Sequence, residues 1–299
     1  MTIFVTGAAG FIGGSVARRL IDAGYNVRGL VRDEARGEKL KRLGITPVIG
    51  TLEDLELLTR EAAASQGVIH TADSDHAAAV DALIKGLKGT GHPFLHTSGS
   101  SVIGDDARGL ALSPTIFDED TPFVVADMKK PRRDIELNVL AAKDEGVRSV
   151  VICPSNIYGT GTGLNPRSVQ IPFLVDYAQE AGVVKIVGTG INRWSNVHIE
   201  DTAEIYLLAL EKAPAGSFYF VESGEASFFD IGASIALRLG LGTPETWSAE
   251  EASERWGAMH AYYTFGSNSR ISARRAREEL GWAPRHQSAL RWIEQDMPL

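Results

Sequence analysis

The sequence holds one cysteine in 299 residues, Cys153, inside the apolar run Val150-Val151-Ile152-Cys153. A disulfide framework or a cysteine-ligated metal within one chain is therefore excluded, and a buried, inert thiol is expected. No apolar run reaches membrane-spanning length, and the chain opens on Thr2-Ile3-Phe4-Val5-Thr6 without a basic leader, so no membrane partner and a cytoplasmic location are expected. Positive charge is also scarce. Thirty Lys and Arg against 38 Asp and Glu give a net charge of −8, with no basic stripe for nucleic acid, so a small-molecule partner is favoured. The seven histidines show no His-Glu-x-x-His spacing, so no metal centre is expected. A Gly-x-Ser-x-Gly nucleophile elbow is missing too, which argues against a hydrolase. Internal repeats and low-complexity tracts are absent.

What is present is alternation. Apolar runs at Ile3–Val5, Val27–Val31, Pro47–Ile49, Val68–His70, Phe94–Thr97 and Ser149–Cys153 read as strands buried on both faces. Between them, helical periodicity runs over Phe11–Ala23, Glu34–Leu43, Leu55–Ala64, His76–Lys88 and Lys130–Glu145. Gly24, Gly44, Gly67, Gly89 and Gly146 stand just beyond, placed to end each helix in a left-handed turn. The pattern predicts an α/β protein with a doubly wound parallel sheet, a Rossmann domain over residues 1–154 completed by about 191–216. After Pro154 the rhythm loosens, and residues 155–299 are expected to form mainly a smaller, interleaved α/β substrate domain.

The chemistry-bearing motif is Gly7-Ala8-Ala9-Gly10-Phe11-Ile12-Gly13. It follows a strand and opens a helix, where glycines let backbone N–H groups approach a dinucleotide pyrophosphate. With Phe11-Ile12 inside it, the motif resembles that of the extended and atypical short-chain dehydrogenase/reductases, the NAD-dependent epimerase/dehydratase-like proteins. Three further segments carry the same resemblance: Pro154-Ser155-Asn156-Ile157-Tyr158-Gly159, Val197-His198-Ile199-Glu200-Asp201 and Leu280-Gly281-Trp282-x-Pro284. The resemblance implies a bound NAD(P), an oxidoreductase activity, and a monomer or a homodimer formed through the fourth and fifth crossover helices.

Cofactor choice turns on the end of the second strand, Leu30-Val31-Arg32. Val31 stands where the family's NAD-binding members carry Asp, and Arg32 suits the extra phosphate of NADP, which is favoured over NAD. Asp33 is read as the start of the next helix. By position in the family, Thr51, Leu52, His70, Thr71, Ala72, Ser98, Arg132, Pro154, Asn156 and Ile157 are expected around the cofactor.

The family's Tyr-x-x-x-Lys pair is missing, for none of the seven tyrosines has a lysine four residues on. Setting Glu136 on the family's glutamate puts Arg132 at the lysine position and Met128 at the tyrosine position, and a thioether cannot donate a proton. Ser100 is chosen as a substrate-orienting hydroxyl, and water, Tyr158 or Lys130 as replacement donors. Two functions follow. One is an atypical NADP-dependent oxidoreductase transferring hydride to or from a small organic substrate, with Ser100, Arg132 and Tyr158 as its site. The other is an NADP-binding sensor that has lost catalysis.

Overall fold

The computed structural model describes residues 1–299. Its elements are, in chain order, β1 (Thr2–Thr6), α1 (Phe11–Asp22), β2 (Asn26–Val31), α2 (Glu34–Arg42), β3 (Thr46–Ile49), α3 (Leu55–Ala63), β4 (Val68–His70), α4 (Ala77–Leu87) and β5 (Pro93–Thr97). There follow α5 (Lys130–Ala141), β6 (Arg148–Pro154), β7 (Asn156–Tyr158), α6 (Gln170–Ala181), β8 (Lys185–Val187), β9 (Arg193–His198), α7 (Ile199–Lys212) and β10 (Ser217–Val221). The chain closes with β11 (Gly224–Ser227), α8 (Phe228–Leu239), β12 (Glu245–Trp247), α9 (Ala249–Trp256), α10 (Arg274–Leu280) and α11 (Ala289–Gln295).

Seven strands form one parallel sheet in the order β10-β6-β5-β4-β1-β2-β3. Its central strands are largely apolar because both faces are covered, while the edge strand β3 buries only Val48. Val16, Ala17 and Leu20 of α1 pack with α7 on one face, and Leu58, Leu83 and Val139 of α3, α4 and α5 on the other. The direction of winding reverses between β1 and β4, which opens a crevice at the carboxyl ends of the strands, where the glycine turn lies.

Two sequence expectations change. The completing strand is β10, which lies beyond 191–216 and joins the edge at β6. β9 instead pairs with β7 and β11 in a separate three-stranded sheet. Gly67 is not a left-handed terminator, since its φ is not positive. It is there for space, because a Cβ would lie 2.9 Å from Pro93 Cγ and 3.0 Å from Ile3 Cδ1.

The later elements build a second apolar core around Trp194, Phe228, Trp256 and Phe265. Asp201, on α7, ties the C-terminal segment to it by accepting from the backbone N–H groups of Arg285 and His286, each at 2.9 Å. Trp282 Nε1 donates to Asp201 O at 2.9 Å, so two of the recognised segments hold each other. The irregular stretch between β5 and α5 is strapped down by Arg274 and Arg275 against Asp120, and by Arg274 against Asp118 at 3.1 Å. The basic run at 270–277 is therefore paired as well as solvated.

Candidate active site

The glycine turn is tight for a stated reason. Gly7 has φ +75°, and a Cβ on Gly13 would meet Gly7 O at 2.3 Å and Thr71 Oγ1 at 2.4 Å. Thr71 in turn donates to Thr6 O at 2.7 Å, so the turn is pressed against the β4 loop with no room for side chains. The N-terminus of α1 has no side-chain cap and no acidic residue in its first turn. By contrast, Asp33, Ser227 and Ser248 accept from the first turns of α2, α8 and α9. An uncapped helix end behind an open glycine turn is what a pyrophosphate needs, so the residues present fit a dinucleotide.

At the end of β2, Asp33 is spent as the cap of α2, accepting from Arg36 N at 2.8 Å and pairing with the Arg36 guanidinium at 2.9 Å. Arg32 is exposed and makes no ion pair or hydrogen bond within the protein. Thr51 is occupied locally, its backbone N–H donating to Asp54 at 2.7 Å. Leu52 packs on the core beneath, and Ala72 is exposed beside Gly7.

From the glycine turn a cleft of about 250 Å³ runs between the two halves of the molecule. Phe11 and Ile12 form its floor with Pro154 and Ile157, and Trp194 and Tyr263 close it from the other half. One wall carries Ser98, Ser101, Lys129 and Arg132, and no Asp or Glu lines the cleft. Arg132 is held rigidly. Its Nε donates to Asp75 at 2.8 Å, a second donor reaches the same carboxylate at 2.5 Å, and a third meets Ser101 Oγ at 3.2 Å. The guanidinium in turn pulls the Asp75 carboxyl below its ordinary pKa. Ser98 Oγ donates to the buried Glu136, which Arg133 also grips at 2.6 Å. Burial pushes Glu136 up despite these bonds.

Several expected site residues lie elsewhere. Tyr158 is fully buried in the second core, edge-on to His198, outside the cleft and without a close hydrogen-bond partner. Burial raises its pKa strongly, so it is no proton donor to the cleft. Replacing it as Tyr158→Phe is expected to leave turnover unchanged and to shift unfolding free energy by less than about 1 kcal/mol, read by denaturant melts. Ser100 borders the cleft, but its side chain is buried, with its Oγ accepting from Ser269 Oγ at 2.7 Å, because the short 3₁₀ turn Ser100–Ile103 points it inward. Ser101 is the hydroxyl next to Arg132. Asn156 alternates with Ile157 on β7 and turns away into the core. His70 packs behind the turn, with Nδ1 against Thr6 Oγ1 at 2.7 Å and Nε2 against Asp73 O at 2.8 Å, and burial lowers its pKa to about 4. Lys130 is exposed and paired with Asp127 at 2.6 Å.

The residue missed by sequence reasoning is Lys129. Counting four back from Arg132 assumes an α-helix and lands on Met128, which is partly exposed and outside the cleft. The α-helix begins only at Lys130, so Met128 falls in the preceding 3₁₀ turn, Asp127–Lys129, while Lys129, the N-cap of α5, stands three residues before Arg132 and shares the wall with it.

The fold and sequence have known relatives. The model of the "NAD dependent epimerase/dehydratase family" matches residues 3–221. An uncharacterised protein of Schizosaccharomyces pombe is 34% identical, with 99% of each chain covered. The oxidase ucsJ of Acremonium sp. is 33% identical over 94% of this chain and 92% of its own. The 4-hydroxy-2-methyl-3-oxo-4-farnesyl-3,4-dihydroquinoline-1-oxide ketoreductase of Stigmatella aurantiaca is 28% identical over 100% and 97%. Among solved structures, dTDP-glucose 4,6-dehydratase of Bacillus anthracis in complex with NAD superposes with a TM-score of 0.76 at 21% identity, covering 99% of this chain and 97% of that one.

Proposed function

The chain belongs to the NAD-dependent epimerase/dehydratase family, and on that premise we propose that it is an NADP-dependent oxidoreductase that reduces the ketone of a small organic substrate. The observation that carries this reading is the cleft itself. It joins the glycine turn to a wall bearing two cations, the Ser101 hydroxyl and no carboxylate, in a chain whose net charge is −8. Such a wall favours a carbonyl oxygen as it gains negative charge.

When bound, the reduced nicotinamide supplies the hydride. The uncapped end of α1 and the turn from Gly7 to Gly13 hold the pyrophosphate, and Arg32 takes the extra phosphate of NADP. Thr51, Leu52, Thr71 and Ala72 border the adenosine side. Arg132, fixed by Asp75, presents positive charge beside Ser101 and Ser98, while Phe11, Ile157 and Trp194 exclude water. Residues 1–154 serve mainly the cofactor and 155–299 the substrate. Both redox-named relatives support the reaction class, and the Stigmatella ketoreductase supports its direction.

The test is NADPH consumption with ethyl acetoacetate, a simple 3-oxo ester, and with acetoacetate. Turnover is expected with at least one of them. Tight NADPH binding without turnover of these ketones would favour the sensor.

A further inference from the structure

We infer that Lys129 is the proton donor of this site, standing in for the absent tyrosine by delivering a proton to the oxygen of a ketone substrate. The inference rests on the carbonyl-reductase reading above and adds the acid which that reading lacks.

The geometry is specific. Lys129 is only 9% exposed, lines the cleft as the N-cap residue of α5, three residues before Arg132, and its ammonium forms no ion pair or hydrogen bond within the protein. A lysine side chain this enclosed is ordinarily paired. Here the one nearby carboxylate, Asp75 of the loop after β4, is already forked by Arg132. The charged groups acting on Lys129 are Arg132, which opposes its protonation, and Asp75, which favours it; Tyr263 lines the cleft from the opposite half. Burial and Arg132 together win, so the ammonium releases its proton more readily than an exposed lysine. That suits a general acid, whose effectiveness peaks when its pKa approaches the working pH.

The step balances. The carbonyl carbon takes a hydride from a reduced nicotinamide dinucleotide as the carbonyl oxygen takes a proton from Lys129 Nζ. The C=O π bond and one Nζ–H bond break, C–H and O–H bonds form, the dinucleotide is oxidised, and the neutral amine regains its proton from bulk solvent when the cleft opens to release product.

Two measurements test it. The first needs no cofactor or substrate: NMR titration of the full chain after isotope-labelled reductive dimethylation, with the Lys129 signal assigned by its loss in Lys129→Arg. A titration midpoint below those of the exposed lysines is expected, and a midpoint among them would overturn the inference whatever the enzyme turns over. The second compares Lys129→Met and Lys129→Arg in NADPH-dependent reduction of ethyl acetoacetate. Both are expected to lower kcat by about 10²- to 10⁴-fold, because arginine keeps the charge but cannot release a proton. Retention of turnover by Lys129→Arg within a few-fold would overturn the inference, showing that charge alone matters. Lys129→Met should melt no lower than wild type, since it removes an unpaired, partly desolvated charge, so its lost turnover is not lost folding. Absence of turnover in the wild type would count against the ketone reading, while the titration still decides for or against a titratable donor at Lys129.

Discussion

Gly13→Ala is expected to weaken NADPH binding by on the order of 100-fold or more and to destabilise the fold by about 1–3 kcal/mol. The added methyl would lie 2.3 Å from Gly7 O and 2.4 Å from Thr71 Oγ1, and 2.7 Å from Gly7 C. Two of these three atoms are backbone, so the clash cannot be relieved by a rotamer change. Either α1 slides outward, losing its packing on α7, or the turn opens and the N–H groups at its helix end lose their aim. Gly10→Ala provides the contrast, because its methyl would meet only Gly7 O, at 3.1 Å. It should unfold within about 1 kcal/mol of wild type. Fluorescence titration with NADPH and urea melts read both effects. A Gly13→Ala protein with wild-type affinity would place the cofactor elsewhere.

Arg32→Glu is expected to weaken NADPH by roughly 100-fold and NADH by no more than about three-fold. Arg32 stands free at the end of β2, whereas Asp33 and Arg36 are bound to each other at the start of α2. A charge-assisted hydrogen bond to phosphate contributes about 1.5–3 kcal/mol, and a carboxylate in its place adds repulsion. NADH has no phosphate at that position and so has little to lose. Equal losses for the two dinucleotides, measured by calorimetric titration, would remove Arg32 from the cofactor site.

The parallel sheet was readable because β1 to β6 are short apolar runs, all but the edge strand β3 covered on both faces, and because a glycine turn after the first strand has few other uses. β10 escaped because its strand, Ser217–Val221, pairs with β6 across more than 60 residues of chain, and no local pattern reports such a partner. Cofactor-side residues were largely placed by strand ends, which fix position without fixing contacts: Thr71 presses on the turn, while His70 next to it is used up by Thr6 and Asp73. The cleft wall was least legible. The spacing rule used for Met128 and Arg132 presumes one continuous α-helix, but α5 begins at Lys130, so Met128 falls in the preceding 3₁₀ turn while Lys129, the N-cap, stands three residues before Arg132. Likewise Tyr158 carries a suitable chemical group, but its side chain is enclosed by His198 and Trp292. Burial of that kind is decided by distant segments of the chain.

The central claim is that this protein transfers hydride as well as binding the dinucleotide. Incubation with NADPH deuterated at C4 of the nicotinamide, separately in each stereochemical position, followed by mass spectrometry and NMR of the ethyl acetoacetate product, tests it most directly. Deuterium on the carbinol carbon from one of the two labelled forms is the predicted result. Saturable NADPH binding with no deuterated product from either form would contradict it.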